Sequence, residues 1–311
     1  MSLNILITGS EGYLGRRLVS QLGSEHTVVG IDICAQSAPG YAYHTMDIRD
    51  PALATLLKAN RISHVIHLAS VMKASDDRER DYDIDVNGTA NVLSCCLEAG
   101  VEHITVSSSG AAYGYHADNP HWLTEEHSLR GNDHFAYSQH KRLIEEMLAA
   151  HRRTSPQLRQ LILRPGTVLG SHTQNQITNL FEQRRLLAVK GSPSPFVFIW
   201  DEDVVEIIAS GVTESKTGMY NLAGDGAMTI AEIARALNKP VLQLPAWLLR
   251  IALTIGHKLR LTQYSAEQLD FLRYRPVLSN QALKQEFGYT PRKTSREVFE
   301  YFVQHNQARL G

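Results

Sequence analysis

Three glycines separate a predicted strand from a predicted helix in the segment I-L-I-T-G-S-E-G-Y-L-G-R-R-L, which begins at Ile5. The strand, Leu3 to Thr8, is a continuous apolar run, as expected for a strand buried on both faces. Gly9 permits the sharp turn, Gly12 lets a ligand approach the backbone, and Gly15 lets the helix pack closely against the sheet. Because a helix N-terminus offers free N–H groups and a positive dipole end, the segment predicts a phosphate-binding turn.

Strand-like runs alternate with segments of helical periodicity through the first half of the chain. The predicted strands are Leu3–Thr8, Thr27–Ile33, Val65–Ala69, His103–Ser107 and Gln160–Leu163. The predicted helices are Gly12–Leu22, Pro51–Ala59, Asp85–Ala99 and Tyr137–His151. This alternation with short connections is typical of a parallel sheet that carries helices on both faces.

Asp32 ends the second predicted strand, in the run V-V-G-I-D. A carboxylate about 20 residues beyond such glycines accepts hydrogen bonds from the adenosine ribose hydroxyls of a dinucleotide. It would also repel a 2′-phosphate, so the sequence favours NAD over NADP. A simple strand-end cap is the alternative interpretation of this residue.

Helical stretches dominate the chain after Gly170. They are Ile177–Leu187, Thr229–Leu237, Trp247–Lys258 and Ser295–Asn306, with strand-like pieces at Phe196–Trp200 and Met219–Leu222. We therefore expect an α/β fold, a doubly wound parallel sheet of the Rossmann type with a smaller mixed, mostly helical C-terminal lobe. The expected NAD-binding domain is residues 1–168 with a return segment at 196–223, and the expected substrate-binding lobe is residues 169–195 and 224–311.

Composition excludes several classes of partner. The formal net charge of the 311 residues is -1 and there is no Lys/Arg block, so no nucleic-acid partner is expected. The three cysteines, Cys34, Cys95 and Cys96, have neither disulfide-framework nor metal-ligand spacing, so we expect buried, reduced thiols. The histidines between His103 and His140 also lack ligand spacing, and no metal site is expected.

No secretory leader is recognisable, and a cytoplasmic location is expected. The most membrane-like stretch, Pro245 to Leu259, is interrupted by Arg250, Gly256 and His257 and is shorter than the ~20 apolar residues that span a bilayer. We interpret it as a buried or pocket-covering helix. Contact with a membrane surface is the less favoured interpretation.

Several blocks together resemble the short-chain dehydrogenase/reductase superfamily, in its extended, epimerase/dehydratase-like branch. The glycine spacing is G-x-x-G-x-x-G, and the order and spacing of the further blocks are specific to that branch. These blocks are M-D-I-R-D (Met46–Asp50), H-L-A-S (His67–Ser70), D-V-N-G-T-A-N-V-L (Asp85–Leu93), V-S-S-S-G-A-A-Y-G (Val106–Gly114), Y-S-Q-H-K (Tyr137–Lys141) and L-R-P-G-T-V-L-G (Leu163–Gly170).

The resemblance implies a set of cofactor-binding positions along the carboxyl ends of the predicted strands. They are Gly9, Glu11, Gly12, Tyr13, Leu14, Gly15, Asp32, Ile33, Asp47, Ile48, Leu68, Ala69, Ser70, Ser107, Tyr137, Lys141 and Pro165. In the family pattern, the acidic residue at Asp47 lies by the adenine, and the lysine at Lys141 holds the nicotinamide ribose.

Tyr137 and Lys141 are four residues apart, which places both on one face of a helix. A phenol with an ordinary pKa of about 10 is a poor base at neutral pH, but a nearby ammonium group stabilises its phenolate. The pair therefore predicts a proton acceptor for a substrate hydroxyl during hydride transfer. His140, between them, is expected to be exposed on the opposite face.

The resemblance supplies two further catalytic candidates. Ser109, four residues before Tyr113, matches the hydroxyl that binds the reacting oxygen, with Ser108 as the alternate. Asn87 matches the family's structural asparagine, which supports a water molecule and the active-site lysine.

The substrate is less well defined. The family's sugar-nucleotide enzymes carry an Asn where this chain has the run R-P-G-T, which begins at Arg164. They also carry an Arg where this chain has Pro195. Arg184 or Arg185 could substitute for that Arg, or could be solvated surface residues. Gly110 and Ala111 stand where dehydratases carry an acidic pair, so dehydration is not expected. The candidate substrate residues are Ser109, Gly110, Ala111, Thr167, Arg184 and Trp200, with the helix around Trp247 as a cover.

The sequence thus predicts an NAD-dependent enzyme that transfers a hydride at a secondary alcohol or ketone carbon, with a sugar or sugar nucleotide as the leading substrate. The alternatives are an NAD(P)-dependent reductase or dehydrogenase of non-sugar compounds and a non-catalytic dinucleotide sensor. The resemblance also implies a homodimer formed through the helices that contain Asp85 and Tyr137. Net oxidation or reduction and epimerisation through a keto intermediate both remain open.

Overall fold

The computed structural model describes residues 2–36, 40–71, 75, 77–258 and 269–310, with only the backbone of residues 257 and 258. The chain divides into two units. The first unit comprises Met1–Ser109, His140–Arg164 and Asp201–Tyr220, and the second comprises Gly110–Gln139, Pro165–Trp200 and Asn221–Gly311. The domain boundaries expected from the sequence remain a prediction about which residues bind cofactor and substrate.

The strands are numbered in chain order. They are β1 (Asn4–Thr8), β2 (Thr27–Asp32), β3 (Ala42–Thr45), β4 (His64–His67), β5 (His103–Ser107), β6 (Arg159–Pro165), β7 (Thr167–Leu169), β8 (Leu186–Val189), β9 (Phe198–Trp200), β10 (Gly218–Leu222) and β11 (Val241–Leu244).

The helices are numbered in the same way. They are α1 (Tyr13–Leu22), α2 (Leu53–Ala59), α3 (Arg78–Tyr82), α4 (Gly88–Ala99), α5 (Ala136–Thr154), α6 (Gln176–Phe181), α7 (Asp201–Thr213), α8 (Ile230–Ala236), α9 (Ala246–Lys258), α10 (Leu269–Arg273), α11 (Ser295–His305) and α12 (Gln307–Leu310).

Seven strands form one sheet in the order β10-β6-β5-β4-β1-β2-β3. The pairs β1–β2, β1–β4, β2–β3, β4–β5 and β5–β6 are all parallel. Ile5, Leu6 and Ile7 of β1 are fully buried, because helices cover both faces of the sheet. The predicted doubly wound α/β fold is confirmed. Strand β3 was not predicted, because its residues A-Y-H-T are short and largely exposed at the sheet edge.

The second unit contains two small parallel sheets, β8–β11 and β7–β9, around an aromatic core. The core phenylalanines are Phe181, Phe196, Phe198, Phe299 and Phe302, all less than 3% exposed. One predicted helix was wrong: Ile177–Leu187 is the short helix α6, a turn and strand β8. Its partner strand β11 lies more than 50 residues away, so local periodicity could not reveal the pairing.

Helix α9 was predicted to be buried or to cover a pocket, and the prediction of burial is wrong. Trp247 is 65% exposed, Ile251 50% and Ile255 53%, whereas Leu249 is buried against Val189 and Leu269. Among the residues that the structure describes, only one side of the helix packs against its own unit. None of the helices in the described part of the chain has the length and apolarity needed to cross a bilayer.

Two of the three cysteines are buried, as predicted, and one is not. Cys95 and Cys96 are buried, and burial raises the pKa of both thiols, whereas Cys34 is exposed after β2.

Three histidines are buried within the strands of the first unit. Burial lowers the pKa of His64 to about 4 and that of His67 to about 3, and it also lowers the pKa of His103. The rings of His64 and His103 are 5.3 Å apart, so a charge on one disfavours a charge on the other. All three imidazoles are therefore neutral in the folded protein at neutral pH.

We expect the free energy of unfolding to fall as the pH is lowered from about 6.5 towards 4. The unfolded chain binds protons at these histidines below their ordinary pKa of 6.5, while the folded chain does not, so each site removes up to ~1.4 kcal/mol per pH unit. Urea unfolding of His64→Asn at pH 7, 6 and 5 should show a shallower loss than wild type. The exposed His121→Asn variant is the control, and an identical pH dependence in all three proteins would contradict the expectation.

Candidate cofactor and catalytic site

Backbone hydrogen bonds shape the turn after β1. Gly9 has φ +71, in the left-handed region, and its N–H donates to the carbonyl of Ile31 at 2.9 Å. The N–H of Gly12 then donates to the carbonyl of Gly9 at 3.0 Å, and α1 begins at the next residue. Gly12 provides no side-chain cap, so the first N–H groups of α1 are left for a ligand.

Gly15 occupies the closest approach between α1 and this turn. A Cβ placed there would lie 2.2 Å from the carbonyl oxygen of Gly9 and 2.8 Å from Cα of Ser10, so any side chain would force the helix away. A Cβ at Gly12 would meet only the Gly9 oxygen, at 3.1 Å. The two positions therefore differ: Gly15 is required by packing inside the protein, while Gly12 leaves space on the ligand side.

Asp32 lies at the carboxyl end of β2 with its carboxylate turned towards the same turn. Its Oδ2 accepts the N–H of Glu11 at 3.1 Å, and its Oδ1 accepts the N–H of Ile33 at 2.8 Å. Ile33 is 67% exposed, so it offers an apolar surface beside the carboxylate. The structure thus brings together Gly9, Gly12, Asp32 and Ile33, as the sequence predicted.

Asp47 and Ile48 follow β3. Hydrogen bonds from Arg49 lower the pKa of Asp47 against the effect of burial, and Arg49 also pairs with Asp83. The side chain of Ile48 is buried in the core of the first unit, so its backbone is the part that can reach a ligand.

The loop after β4 is tied to β1 through one hydroxyl. Oγ1 of Thr8 accepts the N–H groups of Leu68 and Ala69, both at 3.2 Å, and shares a hydrogen bond of 2.8 Å with Nδ1 of the buried His67. Leu68, Ala69 and Ser70 themselves are half-buried. The carboxyl ends of β1, β2 and β4 therefore fit an extended dinucleotide with phosphates at α1 and a ribose at Asp32.

Helix α5 carries Tyr137, Lys141 and Glu145 at successive turns of one face. Lys141 is buried, and its Nζ donates to the carbonyl of Ser107 at 3.0 Å, at the end of β5. Tyr137 belongs to the second unit, where it is half-buried with its ring centroid 6.4 Å from that of Phe135. The helix thus presents a phenol one turn from an anchored ammonium group.

The two candidate serines after β5 have different surroundings. Oγ of Ser108 donates to Oε1 of Glu145 at 2.5 Å, and Glu145 forms a buried ion pair with Arg164 at 2.6 Å. Ser108 is therefore engaged inside the first unit. Ser109, 9% exposed, is the last residue of that unit and precedes the short turn Gly110–Tyr113.

The predicted exposure of His140 is wrong, whereas the role predicted for Asn87 stays a prediction. The predicted helix Asp85–Ala99 begins with a wider π-type turn at Asp83–Asn87, which leaves Asn87 exposed with its amide donating to Asp83 at 2.8 Å. Asp85 is buried instead, and it pairs with the buried His140 at 2.9 Å. A helical wheel assumes uniform α-helical turns, so it cannot reveal this change of face.

The predicted substrate residues of the second unit lie on several elements, and their role stays a prediction. Gly110 and Ala111 lie in a buried turn, and Thr167 begins β7; Pro165, predicted to bind the cofactor, ends β6. Trp200 packs between the cations of Lys293 and Arg292, at 4.2 and 4.7 Å from its ring centroid. Arg184 is exposed in the turn between α6 and β8, rather than on the helix that was predicted.

No sequence motif pointed to Arg275, which the structure places in an aromatic cluster of the second unit. This aromatic cluster is formed by Tyr115, Phe135, Tyr137 and Phe271, with consecutive ring centroids 5.2–6.4 Å apart. The guanidinium of Arg275 lies 4.9 Å from the Phe271 ring centroid and 3.8 Å from that of Phe196, and it donates to Oγ of Ser194 at 3.0 Å. Burial lowers its pKa to about 9.

Arg275 has no carboxylate partner among the residues that the structure describes. A buried guanidinium without an anion is costly, which is typical of a position that binds an anionic ligand. Within the same described residues, no group of His, Cys, Asp and Glu side chains is arranged to hold a metal ion.

The chain combines a glycine-built turn at a helix N-terminus, a carboxylate at the end of the second strand and a Tyr/Lys helix on a doubly wound parallel sheet, an arrangement typical of dinucleotide-dependent enzymes. The sequence model of the NAD dependent epimerase/dehydratase family matches residues 5–222, and the chain belongs to this family. As a member of this family it is an NAD-dependent enzyme.

The chain is similar along most of its length to several known proteins and solved structures. The chain is 23% identical over 314 residues to an uncharacterized protein of Mycobacterium tuberculosis, covering 96% of this chain and 83% of the relative. It is 27% identical over 259 residues to the N-acetyl-alpha-D-glucosaminyl-diphospho-ditrans,octacis-undecaprenol 4-epimerase of Escherichia coli O157:H7, covering 79% and 76%. A short-chain dehydrogenase/reductase superfamily protein from Agrobacterium tumefaciens, solved with bound NAD, has a TM-score of 0.75 at 22% identity, covering 99% and 98%.

Substitution of the two glycines should separate packing from cofactor binding. Gly15→Ala should lower the free energy of unfolding by about 2–4 kcal/mol, because its Cβ meets backbone atoms that cannot move independently. Gly12→Ala should change stability little but weaken NAD binding, because its methyl group enters the space left for phosphates. Thermal unfolding and calorimetric titration with NAD measure the two effects, and equal loss of stability in both variants would contradict this assignment.

Proposed function

We propose that the protein transfers a hydride at a secondary carbinol carbon, with Tyr137 as acid/base, Lys141 as its electrostatic partner and Ser109 as the hydrogen-bond donor to the reacting oxygen. The observation that carries this proposal is the arrangement on α5. A buried lysine, anchored to the carbonyl of Ser107 at 3.0 Å, lies one helical turn from a half-buried tyrosine. The engagement of Ser108 with Glu145 disfavours Ser108, the alternate, for the third role.

The proposed reaction balances in protons and electrons. In the oxidative direction the substrate hydroxyl proton moves to the phenolate oxygen of Tyr137, while the C–H bond at the same carbon breaks and its electron pair leaves with the hydrogen. Bound NAD⁺ supplies the hydride acceptor, and NADH supplies the donor for the reverse step. Lys141 stabilises the phenolate by its positive charge, and Ser109 donates to the oxygen on which charge develops.

We propose a sugar carried on a diphosphate as the substrate class, in either a nucleotide or another ester. The half-buried Arg275 supports this class, because a diphosphate would supply the anion that the described residues do not. The relative from Escherichia coli acts, by its name, on a sugar diphosphate. The aromatic cluster also links Arg275 to Tyr137 within one unit, so both can face one ligand.

Epimerisation, or simple oxidation and reduction, fits this site better than dehydration. Elimination of water needs an acid and a base beside the carbinol carbon. Gly110 and Ala111 provide neither at the positions after Ser109, and both are buried in the turn. We propose a redox-neutral epimerisation first, and a homodimer in the cytoplasm as the working form.

Tyr137→Phe should reduce turnover by at least about a hundredfold while leaving NAD affinity within about threefold, because only the proton acceptor is removed. Purified protein would be screened against sugar nucleotides, free sugars and hydroxy-ketones. Absorbance of reduced nicotinamide detects net redox, and product chromatography detects epimers. Undiminished turnover by Tyr137→Phe would refute the assigned role, and turnover of neutral carbonyls alone would favour the non-sugar alternative.

Arg275→Met should raise KM for a sugar diphosphate by about thirtyfold or more, because a desolvated charge pair is lost. The melting temperature should stay constant or rise, because an unpaired buried charge is replaced by an apolar side chain. Arg275→Lys should recover only part of the affinity, because an ammonium group lacks the planar fork. Arg273→Met is the matched control: Arg273 faces Asp270 at 4.0 Å, and its loss should leave KM unchanged.

A further inference from the structure

Asp85 is buried, and its two carboxylate oxygens hold different parts of the first unit. Oδ1 accepts the hydroxyl of Ser70 at 3.0 Å and the N–H of Val71 at 2.8 Å, both in the loop after β4. Oδ2 meets Nδ1 of His140 on α5 at 2.9 Å. Asp85 and His140 are 2% and 3% exposed, so water does not compete for these hydrogen bonds.

The charge state of this pair follows from its surroundings. Burial acts to raise the pKa of Asp85, but the His140 hydrogen bond, the charge of Lys141 and the Val71 N–H outweigh it, and the pKa is lowered. An ionised carboxylate can only accept hydrogen bonds, so Nδ1 of His140 carries the hydrogen and donates. The same arrangement fixes the orientation of the imidazole ring.

His140 lies next to Lys141 on α5, so the Asp85–His140 pair acts close to the lysine. The next residue along α5 is Lys141, whose Nζ is held by the carbonyl of Ser107 at the end of β5. Ser70 and Val71 follow β4, the strand that pairs with β5. One carboxylate therefore joins the loop after β4 to the segment of α5 that carries the lysine.

We propose that Asp85 and His140 are positioning residues that set Lys141 relative to the loop at Ser70–Val71 and so shape the ribose-binding end of the NAD site. The inference rests on the proposed function for the role of Lys141, but cofactor binding tests it without any turnover. The alternative is that Asp85 and His140 only fill space in the core. In that case the volume of their side chains would matter, and their hydrogen bond would not.

Two substitutions of His140 separate these roles. His140→Asn places an amide N–H near the position of Nδ1, so it keeps the donor to Asp85. His140→Leu keeps comparable apolar bulk but leaves the buried carboxylate without that donor. We expect the dissociation constant for NAD to rise by about tenfold or more in His140→Leu and by less than about threefold in His140→Asn, because a small misplacement of positioning groups is costly.

Asp85→Asn provides a second, nearly isosteric variant. The amide has one acceptor oxygen for three donors, and its own NH₂ group must face one of them. We expect weaker NAD binding here too, and the double variant Asp85→Asn/His140→Leu should lose no more affinity than His140→Leu alone, because the two residues act as one unit.

His103→Leu is the matched control. His103 is another fully buried imidazole of the first unit, but it lies at the start of β5 and bonds to the carbonyl of Lys216. The His103→Leu substitution should lower the melting temperature and leave the dissociation constant for NAD unchanged. Each protein would be assayed by thermal unfolding and by calorimetric titration with NAD, followed by kcat and KM where turnover is found.

The proposal is overturned if His140→Leu binds NAD as wild type does, or if His140→Asn and His140→Leu lose equal affinity while both remain folded. Additive losses in the double variant would also contradict it. Failure of the proposed catalytic chemistry would give a different result. Tyr137→Phe would keep its turnover, while the His140 and Asp85 variants would still show the expected changes in NAD affinity.

Discussion

Three buried polar contacts hold α5 in place within the first unit, and the candidate site depends on them. His140 meets Asp85, Lys141 meets the carbonyl of Ser107, and Glu145 meets Arg164. Buried ion pairs gain little net stability over apolar side chains of the same size, because both ions lose their hydration. Their geometry is directional, however, so they set the rotation of α5 and the depth at which its lysine lies.

The cofactor end of the first unit follows a different principle. There the close approach of α1 to the turn after β1 excludes side chains, and the missing Cβ of Gly15 permits it. Backbone N–H groups, a carboxylate at Asp32 and the hydroxyl of Thr8 organise the carboxyl ends of three neighbouring strands. Packing thus shapes the phosphate side, while buried charges orient the side that carries Lys141.

Much of the fold could be predicted because its signals are local. Apolar runs marked β1, β2, β4, β5 and β6, and the glycine spacing marked the turn after β1. The predictions from sequence failed where a structure depends on a partner strand far away in the chain or on an irregular helical turn. The π-type turn at Asp83–Asn87 moved Asp85 inward and Asn87 outward, and strand β8 depends on a partner, β11, that no local window contains.

The amino-acid sequence by itself determined the strand–helix alternation of the first half of the chain, the glycine turn with Asp32, and the placement of Tyr137 and Lys141 on one helix. These features depend on spacing within a few residues, or on the regular alternation of buried elements. Only the tertiary structure decided that Ser108 is engaged, that His140 is buried against Asp85, and that Arg275 has no carboxylate partner among the described residues. Each of those outcomes is a contact or an absence of one between side chains far apart in the chain, and burial, which gives such contacts their strength, exists only once the chain has folded.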